Sequence, residues 1–294
     1  MGSSGSWIRE DPPPGFPRKA VRSTTSFRVD KDMNSVDSFL VKGLNSRYGN
    51  RQVLFDLCFT IPRNQVTVIM GVSGCGKTTL LRHLIGLKPW DSGEIIFEGK
   101  DLGRFDAGEL MSYRRRIGVL FQSAALFNSL SVAENIAVPL RVHTGLADET
   151  IRIMATIKLH MVGLAEFRDF MPSQLSGGMR KRAGLARALA MDPEILFVDE
   201  PSSGLDPITA AGLDRLILEL RETLGMTIIV VTHELESAFQ IADQMIVMDQ
   251  GKVLVAGTPE EVQQSTNERV IQFLGRQADL RQLDTEAYHA CLLE

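Results

Sequence analysis

The chain has 294 residues, of which 44% are hydrophobic, and its 32 basic and 36 acidic side chains leave a formal net charge of −4. This composition predicts a folded protein with a large core and excludes a wholly disordered chain, and the acidic balance argues against nucleic acid as a partner. The three cysteines lie in dissimilar segments and indicate no disulfide framework. Apolar runs are strand-sized and no secretory leader is recognisable, so we expect a cytoplasmic chain that does not cross a bilayer.

Residues 1–36 are predicted to be a disordered leader, because Gly, Ser and Pro outnumber the residues that could form a core. A folded domain is predicted for residues 37–275, and residues 276–294 form a C-terminal tail that could contact a partner subunit. Short alternating apolar segments at the start of the domain predict an antiparallel layer: Phe39–Val41, Val53–Phe55 and Leu57–Ile61.

A glycine-rich segment follows, between a strand-like run, Val66–Met70, and a helix-like run that starts at Thr78. It fits the phosphate-loop pattern of two glycines separated by four residues and followed by Lys and Thr. Such a loop turns its backbone N–H groups toward a phosphate, and the next helix points the positive end of its dipole there. Lys77 is expected to reach the β- and γ-phosphates, and the Thr78 hydroxyl to coordinate Mg²⁺. The predicted nucleotide-binding residues are Gly71, Val72, Ser73, Gly74, Cys75, Gly76, Lys77, Thr78 and Thr79.

Beyond the loop, Gly93–Gly99 is predicted to be a hairpin arm, and a strand is predicted from Ile117 to its end at Gln122. Residues from about 124 to 190 are rich in helix formers and predict a mostly helical insertion. Three short β-branched runs then follow without alternation, as expected of parallel strands buried on both faces: Ile195–Val198, Ile228–Val231 and Met245–Met248. The predicted fold class is therefore α/β, with a parallel sheet flanked by helices, an antiparallel β layer and a helical insertion.

Within the insertion, the segment Leu175–Met179 contains two consecutive glycines and opens a helix-like run rich in Ala and Leu. A helix start of this kind attracts anions. Because the domain already has one phosphate site, a second one predicts a head-to-tail dimer in which each copy faces the nucleotide of the other. The alternative is a glycine-rich helix entry with no chemical use.

Two adjacent carboxylates, Asp199 and Glu200, end an apolar strand and are expected to point to its opposite faces. Asp199 is the candidate Mg²⁺ ligand, and Glu200 is the candidate to orient or deprotonate the attacking water. His233 ends a later strand, at the edge where ligands collect in an open α/β sheet, and is a candidate γ-phosphate contact. The alternatives are an exposed acidic strand end and a structural histidine. Tyr48 either stacks on an adenine ring or is a half-buried surface aromatic.

Two basic runs, Arg114–Arg116 and Arg180–Arg182, resemble sites for nucleic acid or lipid headgroups. Both lie beside motif segments. A solvated helix face or a set of salt bridges is the favoured interpretation of each run.

Taken together, these motifs resemble those of the nucleotide-binding subunits of ATP-binding-cassette (ABC) transporters, over about residues 37–275. These subunits are P-loop NTPases, and the resemblance implies a mixed core sheet, an antiparallel β subdomain and a helical subdomain. The resemblance implies a homodimer that sandwiches two ATP molecules with Mg²⁺ and acts on integral-membrane permease subunits. It implies ATP binding by Tyr48 and Gln122 as well as by the phosphate loop. The remaining implied residues are Lys77, Glu200 and His233 for catalysis; Thr78, Gln122 and Asp199 for Mg²⁺; and Ser176, Gly177, Gly178, Met179 and Asp206 for the ATP of the other copy.

Met179 stands where the wider family has glutamine, and this variant resembles the ATPases of MCE-type lipid transporters. That resemblance implies ATP-driven phospholipid transport between the inner and outer membranes of a Gram-negative bacterium, which maintains outer-membrane lipid asymmetry. It implies a peripheral position on the cytoplasmic face of the inner membrane, an MCE-domain periplasmic lipid-binding partner and a small STAS-domain regulatory subunit. Two alternatives stay open: the ATPase subunit of a transporter for a small solute (amino acid, metal or drug), and a soluble ABC ATPase without a transport role.

Overall fold

A computed structural model describes residues 37–277; the predicted leader, and the predicted tail from residue 278 onward, lie outside the described residues. In chain order, the strands and α-helices are β1 (Asp37–Tyr48), β2 (Arg51–Pro62), β3 (Val66–Gly71), α1 (Lys77–Leu84), β4 (Ser92–Phe97), β5 (Lys100–Asp101), α2 (Ala107–Arg115), β6 (Ile117–Leu120), α3 (Val132–His143), α4 (Asp148–Met161), α5 (Gly177–Ala188), β7 (Ile195–Asp199), α6 (Pro207–Leu224), β8 (Thr227–Thr232), α7 (Leu235–Ile241), β9 (Gln244–Asp249), β10 (Lys252–Gly257), α8 (Pro259–Gln263) and α9 (Glu268–Leu274).

The first sheet is antiparallel and has the strand order β2-β1-β4-β5. Alternating residues of β1 and β2 are buried, among them Phe39, Val41, Leu57 and Ile61, and they form one core cluster with α1. This alternation is the pattern expected of strands with one face toward the core. The predicted antiparallel layer and the predicted hairpin at Gly93–Gly99 are both confirmed.

The second sheet has the order β10-β9-β3-β8-β7-β6, and its members are parallel except for the antiparallel edge strand β10. Every residue of β3, β7 and β8 is buried. Strands buried on both faces do not alternate between polar and apolar positions, which explains why these sequences are largely apolar without alternation. The mixed core sheet is therefore confirmed.

The strand predicted to end at Gln122 ends two residues earlier, at Leu120. The chain turns there, because the backbone N–H of Ala124 donates to the carbonyl oxygen of Phe121 at 2.8 Å. Ala124 and Ala125 both have positive φ, at 59° and 48°, and this conformation breaks the extended backbone.

Helices α3, α4 and α5 pack on one another and share a core cluster with the parallel sheet. The capping box of Ser131 and Glu134 starts α3, and Ser176 caps α5. These helices lie in the stretch predicted to be a helical insertion. Over residues 37–277, none of the helices has both the length and the apolar character that spanning a membrane requires.

Gly71 ends β3 against β9, where there is no room for a side chain. Its φ is +151°, and a Cβ at this position would lie 2.1 Å from the carbonyl oxygen of Met248. Since that oxygen belongs to a paired strand, Gly71→Ala is expected to lower the free energy of unfolding by about 2 kcal/mol or more. Thermal unfolding measures the loss. Gly99→Ala, at φ +81° with nothing within 4 Å, is the control with backbone strain alone; equal melting temperatures for the two variants would contradict the predicted clash.

Candidate functional site

The carboxyl ends of four parallel strands meet at one edge of the core sheet, because β3 pairs with β8, β8 with β7 and β7 with β6. In an open α/β sheet this edge is where ligands bind. The chain segments that leave it carry the predicted phosphate loop after β3, His233 after β8, Glu200 after β7 and Gln122 after β6. The structure thus brings together candidates that lie far apart in the sequence.

The phosphate loop connects β3 to α1, and Gly76 precedes the helix with φ +107°. Lys77 is buried within the loop, and its ammonium group donates to the carbonyl oxygens of Gly71 at 2.7 Å and Val72 at 3.1 Å. Thr78 is exposed in the first turn, whereas Cys75 is buried, which raises the pKa of its thiol. A helix start with a lysine folded over it is suited to an anion.

Glu200 lies just beyond β7, which ends at Asp199, so the expectation of two carboxylates on opposite faces of one strand is wrong. Its φ of 48° turns the backbone out of the strand, and its N–H donates to the carbonyl oxygen of Val231 at 2.8 Å. The carboxylate lies 2.8 and 2.9 Å from Nδ1 of His233, and the Thr232 hydroxyl donates to it at 3.4 Å. Because a carboxylate accepts, Nδ1 is the nitrogen that carries the hydrogen. This hydrogen bond fixes the orientation of the Glu200 carboxylate, and a general base must be held in a fixed orientation.

Asp199 is buried at the end of β7, and this burial, followed by the neighbouring Glu200 carboxylate, raises its pKa. The ammonium groups of Lys181 and Lys77 act in the opposite direction. The predicted Mg²⁺ ligands Thr78, Gln122 and Asp199 offer a hydroxyl, an amide and a carboxylate oxygen, on segments at the same edge of the sheet. Mg²⁺ prefers such donors and takes the rest of its shell from substrate phosphates and water, so these residues fit that ion.

Tyr48 ends β1 beside the helix of the phosphate loop and is 43% exposed. The Lys88 ammonium lies 3.1 Å from the centre of its ring, and Arg82 donates to its hydroxyl at 3.4 Å; that hydrogen bond is the main cause of its lowered pKa. Buried His83 of α1 joins the two elements, since its ring nitrogens lie 2.8 Å from both the Ser46 hydroxyl and the Lys88 carbonyl oxygen. Tyr48 is therefore held next to α1.

The predicted contacts to a second copy lie at two helix starts that touch each other. Ser176 caps α5 and accepts from the N–H of Met179 at 3.2 Å, with Gly177 and Gly178 in the first turn. Asp206 caps α6 and accepts from the N–H and the hydroxyl of Thr209 at 3.0 and 2.6 Å. Gly178 packs on Thr209, because a Cβ there would lie 2.4 Å from the Thr209 methyl group. These candidates form a second group, at the starts of α5 and α6.

Lys181 is a site residue that the sequence interpretation missed. Its ammonium group donates to the carbonyl oxygens of Gln122 at 2.5 Å and Glu200 at 2.8 Å. Burial lowers its pKa, while Asp199 and Glu200 raise it. The helical period offers a signal, since Lys181 shares a face with buried Gly184 and Leu185.

A solvated helix face or a set of salt bridges is the favoured interpretation of the two basic runs, and it holds for Arg114–Arg116. Arg116 forms the expected salt bridges, at 2.9 Å to Glu98 and 2.6 Å to Glu194. For Lys181 the interpretation is wrong, because the side chain is neither solvated nor described in an ion pair, and its partners are backbone carbonyls.

Comparison with known proteins identifies the family. A family model described as ABC transporter matches residues 54–203. The intermembrane phospholipid transport system ATP-binding protein MlaF of Haemophilus influenzae is 44% identical over 239 residues, which cover 81% of this chain and 90% of that protein. The probable ribonucleotide transport ATP-binding protein mkl of Mycobacterium tuberculosis is 42% identical over 238 residues, which cover 81% of this chain and 66% of that protein.

A solved structure agrees with these matches. The dimeric post-hydrolysis state of the ATP-binding cassette MJ0796, bound to ADP and Pi, has a TM-score of 0.69 and 31% sequence identity to this chain, of which it covers 75%. The alignment covers 98% of that structure, and the predicted fold class is thereby confirmed. The chain belongs to the ABC transporter family, in which it is an ATPase domain.

Proposed function

We propose that this chain is the ATPase subunit of an ABC transporter that moves phospholipid between the inner and outer membranes of a Gram-negative bacterium and so maintains outer-membrane lipid asymmetry. The observation that carries the catalytic part is the pair of Glu200 and His233, joined at 2.8 Å at the same sheet edge as the phosphate loop. A base held by an imidazole beside an anion-binding loop is suited to hydrolysis of a nucleoside triphosphate.

In this proposal the ATP phosphates lie in the loop of Gly71–Thr79, and Lys77 moves from the loop carbonyls to the β- and γ-phosphates. Glu200 accepts a proton from the attacking water as its oxygen bonds to the γ-phosphorus. The bond from that phosphorus to the β–γ bridging oxygen breaks, which gives ADP and phosphate. His233 keeps the Glu200 carboxylate oriented and contacts the γ-phosphate, and Tyr48 stacks on the adenine.

Three residues would hold Mg²⁺: Thr78, Gln122 and Asp199. When bound, this ion supplies positive charge against the phosphate oxygens. Gln122 also contacts the nucleotide region, which is consistent with its place two residues beyond β6 at the same edge.

Two copies form the working ATPase in this proposal, and each copy closes the nucleotide site of the other through Ser176, Gly177, Gly178, Met179 and Asp206. The start of α5, a helix of twelve residues whose capping residue Ser176 is exposed, supports an anion contact there. The dimeric state of the similar cassette bound to ADP and Pi supports the same arrangement. ATP binding closes the dimer and hydrolysis opens it.

The proposed partners are integral-membrane permease subunits, an MCE-domain periplasmic lipid-binding protein and a small STAS-domain regulatory subunit. The chain would lie peripherally on the cytoplasmic face of the inner membrane. The name of the Haemophilus influenzae relative supports phospholipid as the cargo, and so does Met179, which follows Gly177 and Gly178. The mycobacterial relative, named for ribonucleotide transport at similar identity, supports a small-solute transporter as the second candidate.

Copurification separates these two cargoes. The tagged chain is isolated from its native membrane in mild detergent, and the proteins and lipids that accompany it are identified by mass spectrometry. Phospholipid transport predicts a permease, an MCE-domain protein and bound phospholipid. Recovery of a permease with a solute-binding protein would contradict phospholipid as the cargo and support a small solute instead. Recovery without any membrane protein would contradict a transport role.

A further inference from the structure

One face of α5 contacts the turn that carries Gln122. Arg187 donates to the carbonyl oxygens of Ala125 at 2.6 Å and Ala124 at 3.1 Å. Between Arg187 and the start of the helix, Gly184 packs on the same turn, since a Cβ there would lie 3.0 Å from Cβ of Ala124. Both alanines have positive φ, a conformation that non-glycine residues keep only when their surroundings hold it. Helix α5 therefore holds this turn in its strained form.

Lys181 extends this contact to the catalytic candidate. Lys181 is 7% exposed, and its ammonium group joins the carbonyl oxygen of Gln122 to that of Glu200. These two carbonyl groups follow different strands, β6 and β7. A single cation on α5 thus connects the ends of both strands.

We propose that Lys181 is a positioning residue for hydrolysis, which holds the backbone of Glu200 and Gln122 so that the Glu200 carboxylate meets the attacking water correctly. The inference rests on the proposed ATPase function. Glu200 is then held at three points: its N–H by Val231, its carboxylate by His233 and its carbonyl oxygen by Lys181. Because Lys181 is in the helix that Ser176 starts, a shift of that helix would also shift the base.

Loss of Lys181 affects orientation more than nucleotide binding. Without its ammonium group, two carbonyl oxygens lose a charged donor, and the strained backbone at Glu200, with φ 48°, loses one of its supports. A displacement of about 1 Å of a reacting group can lower a rate about a hundredfold. The phosphate loop keeps its own contacts, so the affinity for ATP changes little.

The test compares substitutions of two lysines that are buried to a similar extent, Lys181 and Lys158. Lys181→Met removes the ammonium group at similar length, Lys181→Arg keeps a cationic donor, and Lys181→Gln keeps a neutral donor if the methionine variant is not recovered. Lys158→Met is the matched control, because Lys158 is 6% exposed and pairs with Asp192, away from the sheet edge. The full chain is purified with its membrane partners, and kcat and KM for ATP are measured with the thermal unfolding midpoint.

We expect Lys181→Met to lower kcat by about tenfold to a hundredfold with KM for ATP within about threefold of wild type. Lys181→Arg recovers most of the loss, Lys181→Gln lies between the two, and Lys158→Met lowers the unfolding midpoint but not kcat. Three results would each overturn this inference while leaving the proposed function intact: a wild-type kcat in Lys181→Met, an equal loss of kcat in Lys158→Met, or no recovery of kcat in Lys181→Arg. Wild-type turnover no faster than that of Glu200→Gln would overturn the proposed function, and this inference with it.

Discussion

Glu200→Gln is expected to stop ATP turnover while ATP still binds, so that dimers closed on ATP accumulate. The glutamine keeps the shape of the side chain but cannot take a proton from water at neutral pH. Loss of the Glu200 carboxylate as the general base lowers kcat by about 10²-fold to 10⁴-fold. The amide can still meet Nδ1 of His233, 2.8 Å from the present carboxylate, and the variant should fold normally.

Steady-state turnover and size-exclusion chromatography with ATP measure this result. Glu236→Gln, the same change at an exposed position in the first turn of α7, is the control and keeps wild-type turnover. Unchanged turnover in Glu200→Gln would refute the catalytic assignment. Turnover lost together with ATP affinity would assign Glu200 to binding instead.

Lys77→Ala is expected to weaken nucleotide binding by about tenfold to a hundredfold. The ammonium group is the cation of the phosphate loop, and a hydrogen bond to a charged group contributes about 1.5–3 kcal/mol. Its present acceptors, the carbonyl oxygens of Gly71 and Val72, belong to the loop itself, so the loop can lose the lysine without losing a strand.

Titration of ATP by calorimetry at fixed Mg²⁺ measures the affinity of this variant. Lys100→Ala is the control, because the Lys100 side chain is exposed and lies 3.8 Å from Glu109, remote from the loop in the antiparallel sheet. Undiminished affinity in Lys77→Ala would disprove the role of the loop. A fall in both variants would indicate a general loss of folded protein.

Much of the fold follows from local sequence patterns. Apolar residues run without alternation through the middle of β7 and β8, as burial on both faces favours. The start of α8 at Thr258 combines a capping hydroxyl, a proline and a glutamate, and the structure has this capping box. In both cases the cause of the structure lies within a few residues of its effect.

The two errors at strand ends lie where the backbone adopts positive φ at a residue other than glycine. Glu200, Ala124 and Ala125 all do so, and the sequence carries no signal for it. The strand before Gln122 therefore ends earlier than the alternation predicts, and Glu200 leaves the strand of Asp199. Tertiary contacts hold these turns, and a local pattern does not contain them.

Some residues of the candidate site are also recognisable from the sequence, and others are not. The phosphate loop, the carboxylate pair and His233 are recognisable because their chemistry needs fixed spacings or a strand end. Lys181 is not recognisable from the sequence, because its partners Gln122 and Glu200 lie 59 and 19 residues away along the chain. A lysine between two arginines suggests a solvated face until the fold places carbonyl groups against it.

The proposed function is tested most directly by movement of phospholipid. The complex purified through this chain is reconstituted into liposomes with a fluorescent phospholipid, and the distribution of the lipid is followed with ATP, without ATP, and with the Glu200→Gln complex. We predict redistribution that requires ATP and is lost in Glu200→Gln. ATP hydrolysis by the wild-type complex without any change in phospholipid distribution would contradict the proposed cargo.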